Sequence, residues 1–367
     1  MWAMIVKEFR QIRRDRRTLA MMIVLPVLLL VVLGYAASFD VKTITVAAAG
    51  PRVGHVSSLL GSQFKVVEKA PGQGAAWARD QLRDGKADVA VVTTATGTGT
   101  QVFIDGSQLF AAKAALADLA RLRSNAQATP AGPAVVPQVT VLYNPNLTTS
   151  DIMVPGLCGV VLVFVGTIIT SLGVVRERQS GTLEQLAVMP LRSRDVVLGK
   201  IVPYFGVAVV DLAIVLAVGI ALFGVPFHGS PLTFALGALL FLFVTLGLGV
   251  LISTVSQNQG QAIQLAVMTL LPQVLLSGLI FPLSSIAAGV RWIAYLLPLT
   301  YFNEISRGVM LRAEPIGALW QPFVYLAILG VVVVTGATLR FASYLAPAGR
   351  GHRPSTSTGS APQEVSA

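Results

Sequence analysis

Most residues of this chain whose types and spacing suit chemistry fall in one charged segment between two apolar tracts, 176–204, RERQSGTLEQLAVMPLRSRDVVLGKIVPY. Gly181 precedes Thr182, Gln185 stands three residues on, and the apolar run Leu186 to Met189 stops at Pro190. In that spacing the threonine hydroxyl and the glutamine side chain satisfy free amides at a helix start, and proline cannot extend an interior turn. The pattern predicts a short, rigid amphipathic helix over 181–190. Glu184 in its first turn suits the positive end of the helix dipole. Just before it, Arg176, Glu177 and Arg178 read either as an ion-pair-laced helix end or as a brace for that helix. The work such a segment can do is mechanical: it can dock and be pushed.

Three further residues stand out. Asp211 is an acidic group about ten residues into an otherwise uncharged tract, and an intramembrane carboxylate is a functional candidate by default. Proton or cation handling is one reading, and a buried partner to a backbone or polar group of a neighbouring helix is the other. Glu304 and Arg307, spaced i, i+3, are expected to pair with each other, with substrate contact as the alternative.

Covalent chemistry finds no support. The Gly-Lys pairs Gly85-Lys86 and Gly199-Lys200 lack the upstream glycine and the following Ser or Thr of a phosphate-binding loop. His55, His228 and His352 are scattered, so no His/Cys metal set is expected. No Gly-x-Ser-x-Gly occurs. The net charge of +10 reads as membrane topology and contact with anionic lipid. A nucleic-acid role would want basic residues interleaved with aromatics on one soluble face, and the sequence shows none.

The elements that must position these residues follow from composition, 54% hydrophobic against 12% charged with the charges clustered. This is the signature of a polytopic membrane protein. Tracts 18–39 and 152–175 carry no Asp, Glu, Lys or Arg, and each exceeds the roughly 20 residues that span about 30 Å of hydrocarbon. Tract 201–227 is broken only by Asp211. The uncharged stretch 229–290 is too long for one span and must fold back at its polar centre, 253–261. With 315–339 the expected total is six transmembrane helices. Cys158 lies inside the second, so the outer domain cannot rely on a disulfide.

Lys7, Arg10, Arg13, Arg14, Arg16 and Arg17 precede the first span, which places the N-terminus in the cytoplasm. Six spans return the C-terminus to the same side. Residues 1–17, with Trp2, Ile5, Val6, Phe9 and Ile12 at helical spacing, form an amphipathic elbow in the cytoplasmic interface. Residues 18–39 are read as a span and not as a cleavable signal. Residues 40–151, outside, alternate strand-like and helix-like stretches and predict an α+β domain of about 110 residues, enough for a modest core. Residues 282–314, apolar but punctuated by prolines, read as an outer re-entrant or interfacial pair of helices. The tail 346–367, rich in Pro, Gly, Ser and Thr, is expected to be disordered.

These pieces, in this order, resemble the membrane subunit of an ABC-2 type exporter, the permease group with a large external domain between its first two spans. Four blocks carry the resemblance: Asp105-Gly106-Ser107; Tyr143-Asn-Pro-Asn-Leu147 with Met153-Val-Pro-Gly-Leu157; 176–204; and Ser277-Gly-Leu-Ile-Phe-Pro282 with Leu297-Pro-Leu-Thr-Tyr301 and Arg307-Gly308. The resemblance implies that Gly181 to Pro190 is the coupling helix, docked in a groove of an ATPase subunit. Glu184 would then pair with a basic residue of that subunit, as an alternative to its dipole role.

The expected function is the permease half of an ATP-driven exporter of a small amphipathic or drug-like molecule, in a bacterial inner membrane. It would pair with a second permease copy and with two copies of an ATP-binding subunit that holds ATP and Mg. This chain itself would carry no cofactor and no ATPase site. Whether a periplasmic adaptor meets the outer domain is open. The alternative is a membrane-anchored sensor or scaffold acting through its outer domain, which would leave the capped helix without a purpose. A secondary transporter is disfavoured by the single intramembrane carboxylate and the lack of a repeated half.

Overall fold

The computed structural model describes residues 43–54, 56, 60–61, 63–94, 99–127, 137–180 and 193–345. The expected elbow 1–17, first span 18–39, coupling helix 181–190 and tail 346–367 lie outside these residues.

The first described unit is a five-stranded sheet: β1 (Ile44–Ala49), β2 (Phe64–Ala70), β3 (Val89–Val92), β4 (Gln101–Asp105) and β5 (Gln138–Leu142), in the order β2-β1-β3-β4-β5. β1 runs parallel to β2 and β3, β4 is antiparallel to β3, and β5 is parallel to β4. Helix α1 (Ala75–Arg83) precedes β3, and α2 (Leu109–Gln127) follows β4.

Because side chains alternate across a strand, β1 feeds two cores at once. Ile44, Val46 and Ala48 join Val89, Val91, Val102 and Ile104 under Ala112, Ala115 and Leu119 of α2. Ala47 and Ala49 join Ala90, Val92 and Phe103 under Ala78 and Leu82 of α1. The strand is buried on both faces and so reads as a near-continuous apolar run. The expected α+β domain is therefore three layers, with a helix on each side of the sheet.

The second unit is helical: α3 (Thr149–Phe164), a π-turn (Val165–Ile169), α4 (Thr170–Gln179), α5 (Ser193–Phe223), α6 (Pro231–Val255), α7 (Gln259–Leu276), the short α8 (Ala288–Ala294), α9 (Pro298–Met310) and α10 (Trp320–Leu345). Four stretches are long and apolar enough to cross a membrane: Thr149–Arg176, Tyr204–Phe223, Pro231–Val255 and Trp320–Arg340. The polar centre at 253–261 does break the long uncharged tract, since α6 ends at Val255 and α7 begins at Gln259. α7 is not among the four. Its 18 residues include Gln259, Gln261, Gln264 and Gln273, and Pro272 interrupts it.

Two of the four stretches form the interior and two the rim. Thr149–Arg176 and Pro231–Val255 are each 61% buried, against 17% for Tyr204–Phe223 and 22% for Trp320–Arg340. Val207, Val210 and Leu222 of α5, and Val331, Val332 and Leu339 of α10, are exposed. The rim helices present apolar side chains outward, as lipid or another protein surface requires.

Helix α9 sits inside. Every residue of it is buried except Glu304. Phe302 stacks on Phe241 of α6 at 4.5 Å, and α3 approaches through Gly159, where a Cβ would lie 2.5 Å from Leu299.

Candidate functional site

The buried charged groups among the described residues, Asp105, Arg307, Arg312 and Glu314, gather where the sheet domain meets the helices. β4 ends on Asp105, which is 1% exposed. Its Oδ1 accepts the Ser107 N–H at 2.8 Å, closing an Asx turn. Gly106 donates its N–H to the Leu142 carbonyl, and a Cβ there would lie 2.7 Å from that oxygen and 2.8 Å from the Asn144 carbonyl. Only glycine lets the turn lie so close to the strand next to it. Asn144, itself buried, accepts the Thr148 N–H and donates to the Thr148 carbonyl, both at 2.9 Å, which sets the entry to α3.

Arg312 enters this turn from the far side of the chain, just after α9. Its Nη1 lies 3.5 Å from Asp105 Oδ2 and donates to Ser107 Oγ at 3.3 Å, while Nη2 donates to Glu314 Oε2 at 2.6 Å. Arg312 is 4% exposed and Glu314 5%. Burial opposes the guanidinium charge, yet Glu314 and Asp105 hold it above the ordinary arginine value. Burial also pushes Asp105 and Glu314 up, and Arg312 offsets only part of that. A guanidinium between two carboxylates is the geometry in which buried ions can coexist.

Backbone strain marks the same place. The non-glycine residues with positive φ among those described are Tyr143 at 67°, Leu147 at 49° and Ala313 at 51°. Tyr143 and Leu147 flank the Asn144 turn, and Ala313 stands between Arg312 and Glu314. Such conformations persist where the surroundings over-determine them. The Tyr143 hydroxyl is pushed up to about 12, by burial first and by Asp105 second.

A cavity of about 370 Å³ opens beside this cluster, walled by the sheet domain, the start of α3, the loop after α7, and α9. Glu304 and Arg307 both line it, but they do not pair. Arg307 donates from Nη2 to the Gly278 carbonyl at 3.0 Å, and no ion pair joins it to Glu304 among the described residues. The i, i+3 spacing was outcompeted by a backbone carbonyl that the turn after α7 presents to the arginine. Burial lowers Arg307 to about 10, with the like charge of Arg312 adding to it. Glu304 is pushed up by the walls around it and by Glu314, against the pull of Arg312.

At the other end of α3 and α4 the chain leads toward the expected coupling helix. Arg178 donates from Nη1 to the Ser256 carbonyl at 2.9 Å, and Gln259 donates from Nε2 to Gln179 Oε1 at 2.9 Å. The end of α4 is thereby tied to the turn between α6 and α7. Arg176 is exposed. Gly181, Thr182, Glu184, Gln185, Leu186 and Pro190 lie outside the described residues. Asp211 sits half-buried on α5, and its Oδ2 is withdrawn from solvent with no hydrogen-bond partner among the described residues.

Sequence reasoning singled out Asp105-Gly106-Ser107 but missed Arg312 and Glu314, 205 positions away for the Ser107 contact. The available signal was the charged pair Arg312 and Glu314 at the end of a long, mostly apolar stretch.

Four helical stretches long and apolar enough to cross a membrane, tied to a sheet domain through an ionic seam, are the build of an integral membrane protein. The chain belongs to the ABC-2 family of transporter proteins, whose model matches residues 16–339. It is 29% identical over 342 residues to the probable multidrug ABC transporter permease YbhS of Escherichia coli K12, covering 85% of this chain and 88% of that one. It is likewise 29% identical over 344 residues to the probable multidrug ABC transporter permease YbhR of the same organism, covering 88% and 92%. Against the inner membrane transport permease YhhJ of Escherichia coli K12 it is 30% identical over 227 residues, 61% of this chain and 59% of that one.

Proposed function

We propose that this permease is the membrane half of an ATP-driven exporter, moving a small amphipathic or drug-like molecule outward across a bacterial inner membrane. In this reading it has six spans with both termini cytoplasmic, and 18–39 supplies the first. The sheet domain lies outside, and two permease copies are served by two ATP-binding subunits that hold ATP and Mg. The names of the relatives, multidrug permeases, support the substrate class.

One observation carries the reading. The sheet domain is anchored at the start of α3, and the segment 181–192 follows the end of α4. The stretch Thr149–Arg176 between them runs 28 residues, about 42 Å at 1.5 Å per residue, roughly one membrane. The capped segment and the sheet domain therefore belong to opposite ends of one rod, as a cytoplasmic engine contact and an outer domain would. The ties from Arg178 and Gln179 to the α6–α7 turn give a push on 181–190 a second helix pair to act on.

The test is Leu186→Asp, which puts a charge on the docking face of the coupling helix. Co-purification of the ATP-binding subunit and substrate-stimulated ATP hydrolysis should both be lost, while membrane insertion survives. Normal values for both would return 181–190 to a charged loop.

A further inference from the structure

We infer that the cavity between the sheet domain and α9 is a binding site for an amphipathic organic cation, with Glu304 as the carboxylate that receives its charge. This rests on the reading of the chain as a transport subunit only for the site's purpose, not for its chemistry.

α9 is buried along its whole length except at Glu304, and Glu304 opens into the cavity. A carboxylate exposed at one point of an otherwise buried helix is reachable from the cavity it lines. No ion pair occupies it among the described residues, because Arg307 is turned onto the Gly278 carbonyl and Arg312 is held by Glu314 and Asp105.

The placement of the charges points the same way. The wall carries Asp88 and Glu304 against Arg307 and Arg312, and Arg312 is engaged by Asp105 and Glu314 behind it. Glu304 thus has no cation in contact with it among the described residues, and a monocation supplies one.

The rest of the wall suits the body of such a ligand. Leu109, Phe110, Ile152, Met153, Leu279 and Leu283 supply apolar surface, with an aromatic ring among them. The Asn303 Oδ1 acceptor, on a buried wall residue, has no hydrogen-bond partner among the described residues. A cavity of about 370 Å³ lies in the lower part of the range of small-molecule sites, about 300–1,000 Å³. The position, between a sheet domain and the ends of membrane helices, is where ligand clefts concentrate.

The ammonium or phosphonium centre could belong to a free solute or to a lipid headgroup, and the experiment separates them. The full-length permease, purified in detergent without any ATP-binding subunit, is dialysed against tetraphenylphosphonium and, separately, against tetraphenylborate, which has nearly the same shape and the opposite charge. Saturable binding of the cation only is expected. Glu304→Gln should weaken it at least tenfold, while Asp80→Asn, on the surface of α1, leaves it unchanged. Equal binding of both ions, or unchanged binding by a well-folded Glu304→Gln, overturns the assignment.

A second variant covers failure of Glu304→Gln to fold. A cysteine placed at the cavity-lining Ser284, in a chain whose own Cys158 is buried, should be alkylated more slowly when tetraphenylphosphonium is present. No slowing rejects the site. Repeating the dialysis with added phosphatidylethanolamine identifies the source: displacement assigns the cation site to a headgroup, and no displacement assigns it to a free solute. Since no ATP-binding subunit is present, the outcome is independent of whether 181–190 couples to one.

Discussion

Arg312 and Asp211 both hold polar atoms away from water, and the fold treats them in opposite ways. Arg312 reaches Asp105, Ser107 and Glu314, and each of its carboxylate partners is buried with it. Asp211 keeps one oxygen buried without a partner among the described residues. A buried charge is tolerated when its geometry is good and its remaining valences are filled. The first group is thus a clamp between two parts of the chain, and the second is a residue whose charge no described neighbour uses. The contrast separates a charge that holds two parts of the fold together from one that does not.

Breaking the clamp should give the largest effect. Arg312→Ala leaves Asp105 and Glu314 buried without their cation, a loss of about 3–5 kcal/mol. The variant should unfold at clearly lower temperature or denaturant in detergent, and a parental midpoint would show that the seam is not load-sharing. Gly106→Ala comes next, since the added methyl meets two backbone oxygens and must move the turn off β5. Overpacking of this kind costs about 1–3 kcal/mol, read in the same unfolding series.

Asp105→Asn should be milder, within about 1 kcal/mol of the parent near pH 4. Its value lies in the pH slope. The Asp105 carboxyl is raised by burial, so its contribution to stability is full below the unfolded value of about 3.9 and is lost as pH rises through the raised folded value. The asparagine does not titrate, so the variant should gain on the parent between pH 4 and pH 7. A constant difference across that range would contradict the shift.

Asp211→Asn sits at the small end. With one oxygen unpartnered, removing the charge should change stability by no more than about 0.5 kcal/mol and leave ATPase stimulation near normal. Loss of transport from an intact, assembled permease would instead place Asp211 in ion handling and sharpen the contrast with Arg312.

The local elements were legible because their signals are local. The alternation in 43–47, 64–68, 88–93, 101–104 and 138–143, and the helical stretches near 75–84 and 109–124, recover the strands and helices of the sheet domain to within three residues of the observed ends. The polar break at 253–261 likewise marks a real turn. That turn carries a cap of the spacing read at Thr182 and Gln185: Asn258 accepts the Gln261 N–H, and Gln261 accepts the Gln257 N–H, both at 2.9 Å. Its glutamine-rich surroundings read simply as polar.

The candidate site was legible only in part. Asp105, Gly106 and Ser107 were noticed as a block, but a clamp formed with Arg312 has no periodicity to betray it. The Glu304 and Arg307 pair was read from spacing alone, and spacing cannot reveal the Gly278 carbonyl waiting closer to the arginine. Burial was also beyond reach: α9 looks like a short amphipathic piece between prolines, and only packing against α3, α6 and α10 makes it interior.

The π-turn at Val165–Ile169 lies against α6 at its tightest approach, where a Cβ on Gly249 would stand 2.5 Å from the Gly166 carbonyl. Such a turn amounts to one residue added to an α-helix, and one residue is about 100° of rotation. The two halves of this rod are therefore out of phase, and the twist is what aims Arg178 at the Ser256 carbonyl while α3 keeps its glycine face toward α9. A chain shortened by one residue here would still cross the same distance to within about 1.5 Å, yet its α4 half would be clocked away from the α6–α7 turn. Torsion, rather than reach, is the quantity this element sets.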